Sequence, residues 1–169
     1  MNLSENKLLM HLKVTCEETL IGFSLGVAMG IVIAIILWWS DFLSKVAEPF
    51  LVVLNSLPKV ALGPIIIIWV GAGKGAIITM GIAISLIVTI MEILNGFLNT
   101  DKEKIKMAQT FNCSKLQLLT KIIIQANVTT FINSLKINIG LSLVGVITGE
   151  FLVSKAGLRI LNSLWRSSI

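Results

Sequence analysis

Few side chains in this 169-residue sequence are of types that do chemistry, and their spacing suits chemistry poorly. The single histidine, His11, has no cysteine or carboxylate arrangement beside it that would make a base, a nucleophile or a metal-ligand set, so it reads as a surface histidine. Cys16 and Cys113 have neither metal nor disulfide spacing and read as free thiols. GAGKGA (residues 71–76) contains a Gly-Lys pair but lacks the G-x-x-x-x-G-K-[ST] spacing, so it is a glycine turn and not a phosphate cradle. Glu92 and Glu150 are acids in apolar surroundings, where carboxylates can relay protons. Both fall at the ends of apolar runs, which favours interfacial positions. No metal site, cofactor or catalysis is expected from this chain.

The surroundings explain why chemistry is scarce. Hydrophobic residues make up 55% of the chain and charged residues 14%, against about 25% charged in an average soluble domain. Mean hydropathy is +0.91. Residues 19–40 carry no charge over 22 positions, enough to cross a bilayer core that needs about 20 apolar residues. The run follows Glu17 and Glu18 and is of span length, so it reads as a retained membrane helix and not a cleaved signal peptide. A net charge of +5 could suggest nucleic acid, but the basic residues are spread along the chain without an aromatic-interleaved face, and nucleic acid is excluded as a partner.

Four spans are predicted. The first runs from Leu20 to Trp39, with Trp38 and Trp39 in the interfacial belt and Gly22, Gly26 and Gly30 on one helix face for close packing. The second, about Pro49 to Val70, is broken by Pro58, Lys59, Gly63 and Pro64; prolines interrupt the backbone ladder, and a lysine at membrane depth needs water, a partner or a short path to the interface. A broken helix lining a pathway, or a kinked helix with Lys59 snorkelling, would each account for this. The third runs from about Ala76 to Leu94, and the fourth from about Thr130 to Val153, with Gly145 and Gly149 as a second packing face. The tail past Gly157 is too short and polar to cross again.

Between the third and fourth spans lies a polar insert, residues 99–127. Thr100-Asp101-Lys102-Glu103 fits a capping box, and Ser114-Lys115-Leu116-Gln117 fits another. Between them Asn112 suits the left-handed position that closes a helix. The grammar is helix, tight turn, helix, with Ile105, Ala108 and Phe111 and then Leu116, Leu119 and Ile123 forming an apolar stripe. Such helices could lie on lipid or dock a soluble partner. Lys102, Lys104, Lys106, Lys115 and Lys121 form the densest positive segment and favour the cytoplasmic side, although basic residues in the loops overall divide evenly between the two sides.

The insert resembles the cytoplasmic loop of binding-protein-dependent ABC importer permeases, in which E-A-A is followed by three residues, a glycine, and a run ending in an apolar stretch and proline. Ala108 matches the second alanine, Ser114 and Gln117 match the A-S-R-W-Q-L run, and Ile122 to Ile124 match the apolar stretch. Lys106, Met107, Asn112 and Gln125 replace the glutamate, first alanine, glycine and proline. LPKVALGPIIIIWVGAGK (Leu57 to Lys74) and GEFLVSKAGL (Gly149 to Leu158) resemble the sulfonate, nitrate and taurine branch. The similarity covers about residues 10–158.

This resemblance implies an all-α, polytopic membrane helix bundle in a bacterial cell membrane, with two coupling helices in a cytoplasmic loop. Residues 1–158 would form the permease domain and 159–169 a divergent tail, in a chain with one span fewer at each end than the family typically has, as in a truncated or frame-altered subunit. The implied partners are a second permease subunit as a homodimer, a cytoplasmic ABC ATPase dimer that hydrolyses the ATP, an extracytoplasmic substrate-binding protein and membrane lipid. ATPase coupling would fall to Lys106, Ala108, Phe111, Asn112, Ser114, Leu116, Gln117 and Leu119, and the substrate pathway to Pro58, Lys59, Pro64 and Glu150. The solute would be a sulfonate-, nitrate- or taurine-like anion or a related nutrient. The rival readings are a stand-alone secondary transporter or channel-like protein, with Pro58 and Lys59 as its only midplane candidates, and a non-transporting remnant.

Overall fold

The computed structural model describes the backbone of residues 3–58 and 61–167 and the side chains of residues 12–58 and 61–154. Lys59 therefore lies outside the described residues. Among those described there is no strand: the order is α1 (Leu3–Trp39), α2 (Asp41–Ser56), α3 (Leu62–Val70), α4 (Lys74–Leu98), α5 (Lys102–Thr110), α6 (Lys115–Leu118), a π-helical turn (Leu119–Ile123), α7 (Ile124–Ala126) and α8 (Val128–Ser167). Three stretches are long and apolar enough to cross a membrane, Leu12–Trp39, Lys74–Leu98 and Val128–Ser154. The chain is thus an all-α membrane helix bundle.

The predicted second span is interrupted, as its prolines and glycine suggest, but at one place and not along Pro58 to Pro64. It is two helices of 16 and 9 residues, α2 and α3, and neither half reaches the length that a crossing requires. Pro58 falls in the break. Pro49, by contrast, sits inside α2. Pro64 lies in the first turn of α3, where a missing backbone N–H deprives no intrahelical bond. Only one of the three prolines therefore marks the interruption. The first helix also extends further than predicted, since Glu17 and Glu18 are helical residues within α1.

α4 is the central element, packed on α1 along one side and α8 along the other. The glycine repeat of α1 makes the first contact possible. A Cβ added at Gly26 would lie 2.7 Å from Ser85 Cβ and 2.9 Å from the Ile82 carbonyl oxygen, and one at Gly30 would lie 2.7 Å from Thr89 Cβ. Gly145 and Gly149 serve the α4–α8 contact in the same way, against Ile84 and Ile77. Lipid offers no hydrophobic drive for helices to associate, so close approach of small residues carries the packing. Outside these seams the helices present apolar side chains, including Leu25, Val32 and Ile36 of α1 and Ile132, Ile139 and Leu143 of α8.

At one end of the bundle the core changes character. Phe97 of α4 is buried with Ala34, Leu51, Ile93 and Leu94, and Leu119 and Ile123 of the π turn enter the same cluster. Trp38 meets the Phe97 ring edge-on with centroids 6.4 Å apart, and Phe131 of α8 lies 5.9 Å from Phe97 on the other side. The insert between the spans is therefore not a free loop. It is seated on a packed aromatic core shared by α1, α4 and α8.

Candidate functional site: the helix–turn–helix insert

The insert folds as short helices joined by one left-handed residue. α5 starts one residue later than the first capping box predicts: Asp101 is the N-cap, its carboxylate accepting from the Glu103 N–H at 2.9 Å. Thr100 is instead buried, and its hydroxyl donates to the Gly96 carbonyl at 3.2 Å while accepting from Asn127 Nδ2 at 2.7 Å. Threonine and aspartate are both good caps; the competing partner, Asn127, is invisible in local sequence. Because Asn127 also donates to the Ile123 carbonyl at 2.8 Å, it latches the two ends of the insert together.

The turn follows the sequence closely. Asn112 has φ of 52°, the only positive value at a non-glycine among the described residues. Its side chain is short enough to tolerate the left-handed region, which costs most residues about 1–2 kcal/mol. The second capping box forms in full: the Gln117 N–H donates to Ser114 Oγ at 3.3 Å and the Ser114 N–H donates to Gln117 Oε1 at 3.0 Å. Two otherwise unsatisfied amides are thereby paired at the start of α6.

These elements sort the residues of the insert into two sets. Ala108 and Leu119, 3% and 4% exposed, are turned into the chain's own packing and hold the insert on the bundle. Phe111 and Leu116, 77% and 60% exposed, project outward, joined by Met107. The predicted single apolar stripe is therefore split, and Phe111 does not share the buried side with Ala108. Lys106, Asn112, Ser114 and Gln117 are also exposed. The tip is thus an apolar surface of Met107, Phe111 and Leu116 edged by lysines. A rigid hairpin presenting apolar anchors on a charged rim has the anatomy of a docking surface.

Two contributions were not foreseen from sequence. In the sequence Met107 stands out only as the residue that replaces the first alanine of the family pattern. Lys115 reaches back to α1, donating to the Trp39 carbonyl at 2.7 Å with its ammonium 5.7 Å and 5.8 Å from the Trp38 and Trp39 ring centroids. The adjacent tryptophans are a visible signal for a cation partner, but nothing in the sequence selects this lysine from the five.

The residues considered for a pathway are dispersed. Pro58 is exposed in the break between α2 and α3, and Pro64 is exposed on α3. Glu150 of α8 is half-buried and accepts from Thr15 Oγ1 of α1 at 2.6 Å, so it ties two helices together. Glu18, one turn along α1 from Thr15, is buried. Pro58, Pro64 and Glu150 sit on three different elements, and no cavity gathers them among those described.

The sequence matches the family of binding-protein-dependent transport system inner membrane components over residues 26–169, a range that includes the insert. The chain belongs to that family. Among related members, a "Probable ABC transporter permease protein" of Haemophilus influenzae is 32% identical over 88% of this chain and 60% of its own length. The formylaminopyrimidine transport permease protein ThiX of Halalkalibacterium halodurans is 24% identical over 93% of this chain and 63% of its own length. The taurine transport system permease protein TauC of Escherichia coli is 22% identical over 88% and 54%. The chain thus spans less than two thirds of the length of these relatives. The relatives named above are permease components of transport systems.

Proposed function

We propose that the chain is the transmembrane permease subunit of a bacterial ABC importer, working as a homodimer with a cytoplasmic ATPase dimer and an extracytoplasmic binding protein. The insert faces the cytoplasm and enters a groove on the ATPase through Met107, Phe111 and Leu116. Closure of the ATPases on ATP moves the hairpin as a unit. That motion reaches α1 and α4 through Leu119, Ile123 and Phe97, which share one core. Close-packed interiors pass on displacement because they deform little. The energy comes from the partner, and this chain supplies the route for a small water-soluble nutrient, of the kinds named for its relatives or a sulfonate- or nitrate-like anion.

The observation that carries the reading is the hairpin itself, with its buried base, its left-handed Asn112 and its exposed apolar tip. Replacing both Phe111 and Leu116 by alanine tests it. Truncating buried anchors at the centre of an interface costs roughly 1–2 kcal/mol or more, so copurification of the co-expressed cognate ATPase in detergent should fall at least about tenfold while the bundle keeps its melting temperature. Undiminished association would remove the coupling role.

A further inference from the structure

Beside the insert, at the same end of the bundle, α4 and α8 leave an open groove of about 530 Å³. From α4 and its C-cap it is lined by Glu92, Asn95 and Asn99, spaced about one turn apart. From the other side come Asn127, Thr130 and Asn133. Gly96 lets the walls meet: a Cβ there would lie 2.9 Å from Thr130 Cγ2 and 3.0 Å from Asn127 Oδ1. Glu92 is six residues inside the end of α4, and Asn133 five inside the start of α8, so the groove reaches roughly 8–9 Å along both membrane helices.

A carboxylate and a row of carboxamides near the ends of two membrane helices are poorly matched to hydrocarbon. They require water, a ligand or protein. Their charge is one-sided. Glu92 is the only ionisable group lining the groove. Lys136, one turn deeper on α8 than Asn133, does not line it. Asn127 is buried and spends Nδ2 on Thr100 and on the Ile123 carbonyl, which leaves Oδ1 as an acceptor beside Gly96. The remaining carboxamides and the Thr130 hydroxyl can donate or accept, so the one fixed bias of the groove is the single negative charge of Glu92 with the Asn127 Oδ1 acceptor beside it.

We infer that the α4–α8 groove is a solute site that takes a small, donor-rich molecule, an amine, amidine or amino-substituted ring, with Glu92 as its anchor. A bare anion such as a sulfonate or nitrate is disfavoured there. This rests on the importer reading, in which the groove stands at the cytoplasmic mouth of the route, where solute leaves. The same acceptors would admit a lysine or arginine of a neighbouring subunit, an occupant that would close the groove to reagents.

The test uses the full chain in inverted membrane vesicles, with Asn133→Cys as sole thiol (Cys16→Ser, Cys113→Ser), and a second chain retaining only Cys113 as reference. Each is labelled with a trimethylammonium-bearing and a sulfonate-bearing methanethiosulfonate. A groove lined by one sign of charge raises counter-ion concentration about tenfold or more, so the cation-to-anion rate ratio at Asn133→Cys should exceed that at Cys113 by at least this factor. Glu92→Gln, which keeps size and hydrogen bonding, should return the ratio to the reference value. Acetamidine should slow the labelling, and ethanesulfonate should not. The inference is overturned if neither reagent labels the groove, if the ratio ignores Glu92→Gln, or if ethanesulfonate protects as well as acetamidine. Asn95→Cys reads the same groove should Asn133→Cys fail to insert. None of these results bears on the hairpin–ATPase contact, so failure here and failure of the importer reading are separable.

Discussion

Lys115 Nζ donates to the Trp39 carbonyl at 2.7 Å, joining the start of α6 to the last residue of α1 across 76 positions of sequence. The carbonyls of a final helical turn have no partner within the helix, and a cation there also meets the negative end of the helix dipole. The flanking tryptophan rings add cation–π attraction, worth about 0.5–1 kcal/mol at an exposed site. Together with Leu119 and Ile123 beneath it, this bond gives the hairpin a second attachment to the bundle.

Lys115→Met should therefore loosen the hairpin without unfolding the protein. Amide hydrogen exchange over α6 and the end of α1 should accelerate about 3–10-fold, in proportion to the roughly 1 kcal/mol lost, while exchange in α4 stays unchanged. Lys115→Arg, which keeps a donor and stacks on the rings, should recover most of the protection. Unchanged exchange in Lys115→Met would show that the bond does not constrain the loop.

At Asn112 the backbone sets the rule. Asn112→Gly should leave the melting temperature within about a degree, because glycine adopts positive φ without cost. Asn112→Val should cost about 1–2 kcal/mol and is expected to raise the reactivity of Cys113 as the turn opens. Equal behaviour of the two variants would mean that the turn is not held in the left-handed conformation.

Ser114→Ala removes one half of the capping box and should cost about 1 kcal/mol locally, read as increased proteolysis between residues 110 and 118. Protection equal to the unmodified chain would assign the start of α6 to packing alone.

The glycine seam is tested by a matched pair. Gly26→Ala places a methyl against Ser85 Cβ and the Ile82 carbonyl, and overpacking of this kind costs about 1–3 kcal/mol. Gly140→Ala meets nothing within 4 Å and should be neutral or slightly stabilising, since alanine is the better helix former. Detergent melting curves should separate the two; equal melting temperatures would deny the close α1–α4 contact.

What the sequence made legible was whatever depends on neighbours along the chain. Asn112, the Ser114–Gln117 box and the four-residue glycine spacing of α1 are local rules, and each appears as read. The failures are tertiary. Thr100 looked like a cap until Asn127, 27 residues away, claimed its hydroxyl. Phe111 and Ala108 share a helical period, yet the turn begins at Phe111 itself, so the ring leaves the face that Ala108 occupies. The interruption of the second span was legible, but Pro58 and Pro64 carry equal weight in a sequence, and only the position of Pro64 within the first turn of α3 shows that it is harmless there.

The central claim is that the hairpin tip meets an ATPase on the cytoplasmic side, and Cys113, half-buried in the turn, reports on it directly. In inverted vesicles carrying Cys16→Ser, an impermeant maleimide should label Cys113, co-expressed cognate ATPase should block that labelling, and a bifunctional reagent should join the two chains through Cys113. Labelling of Cys113 only from the extracytoplasmic face, or cytoplasmic labelling that the ATPase neither blocks nor converts to a crosslink, would contradict the account.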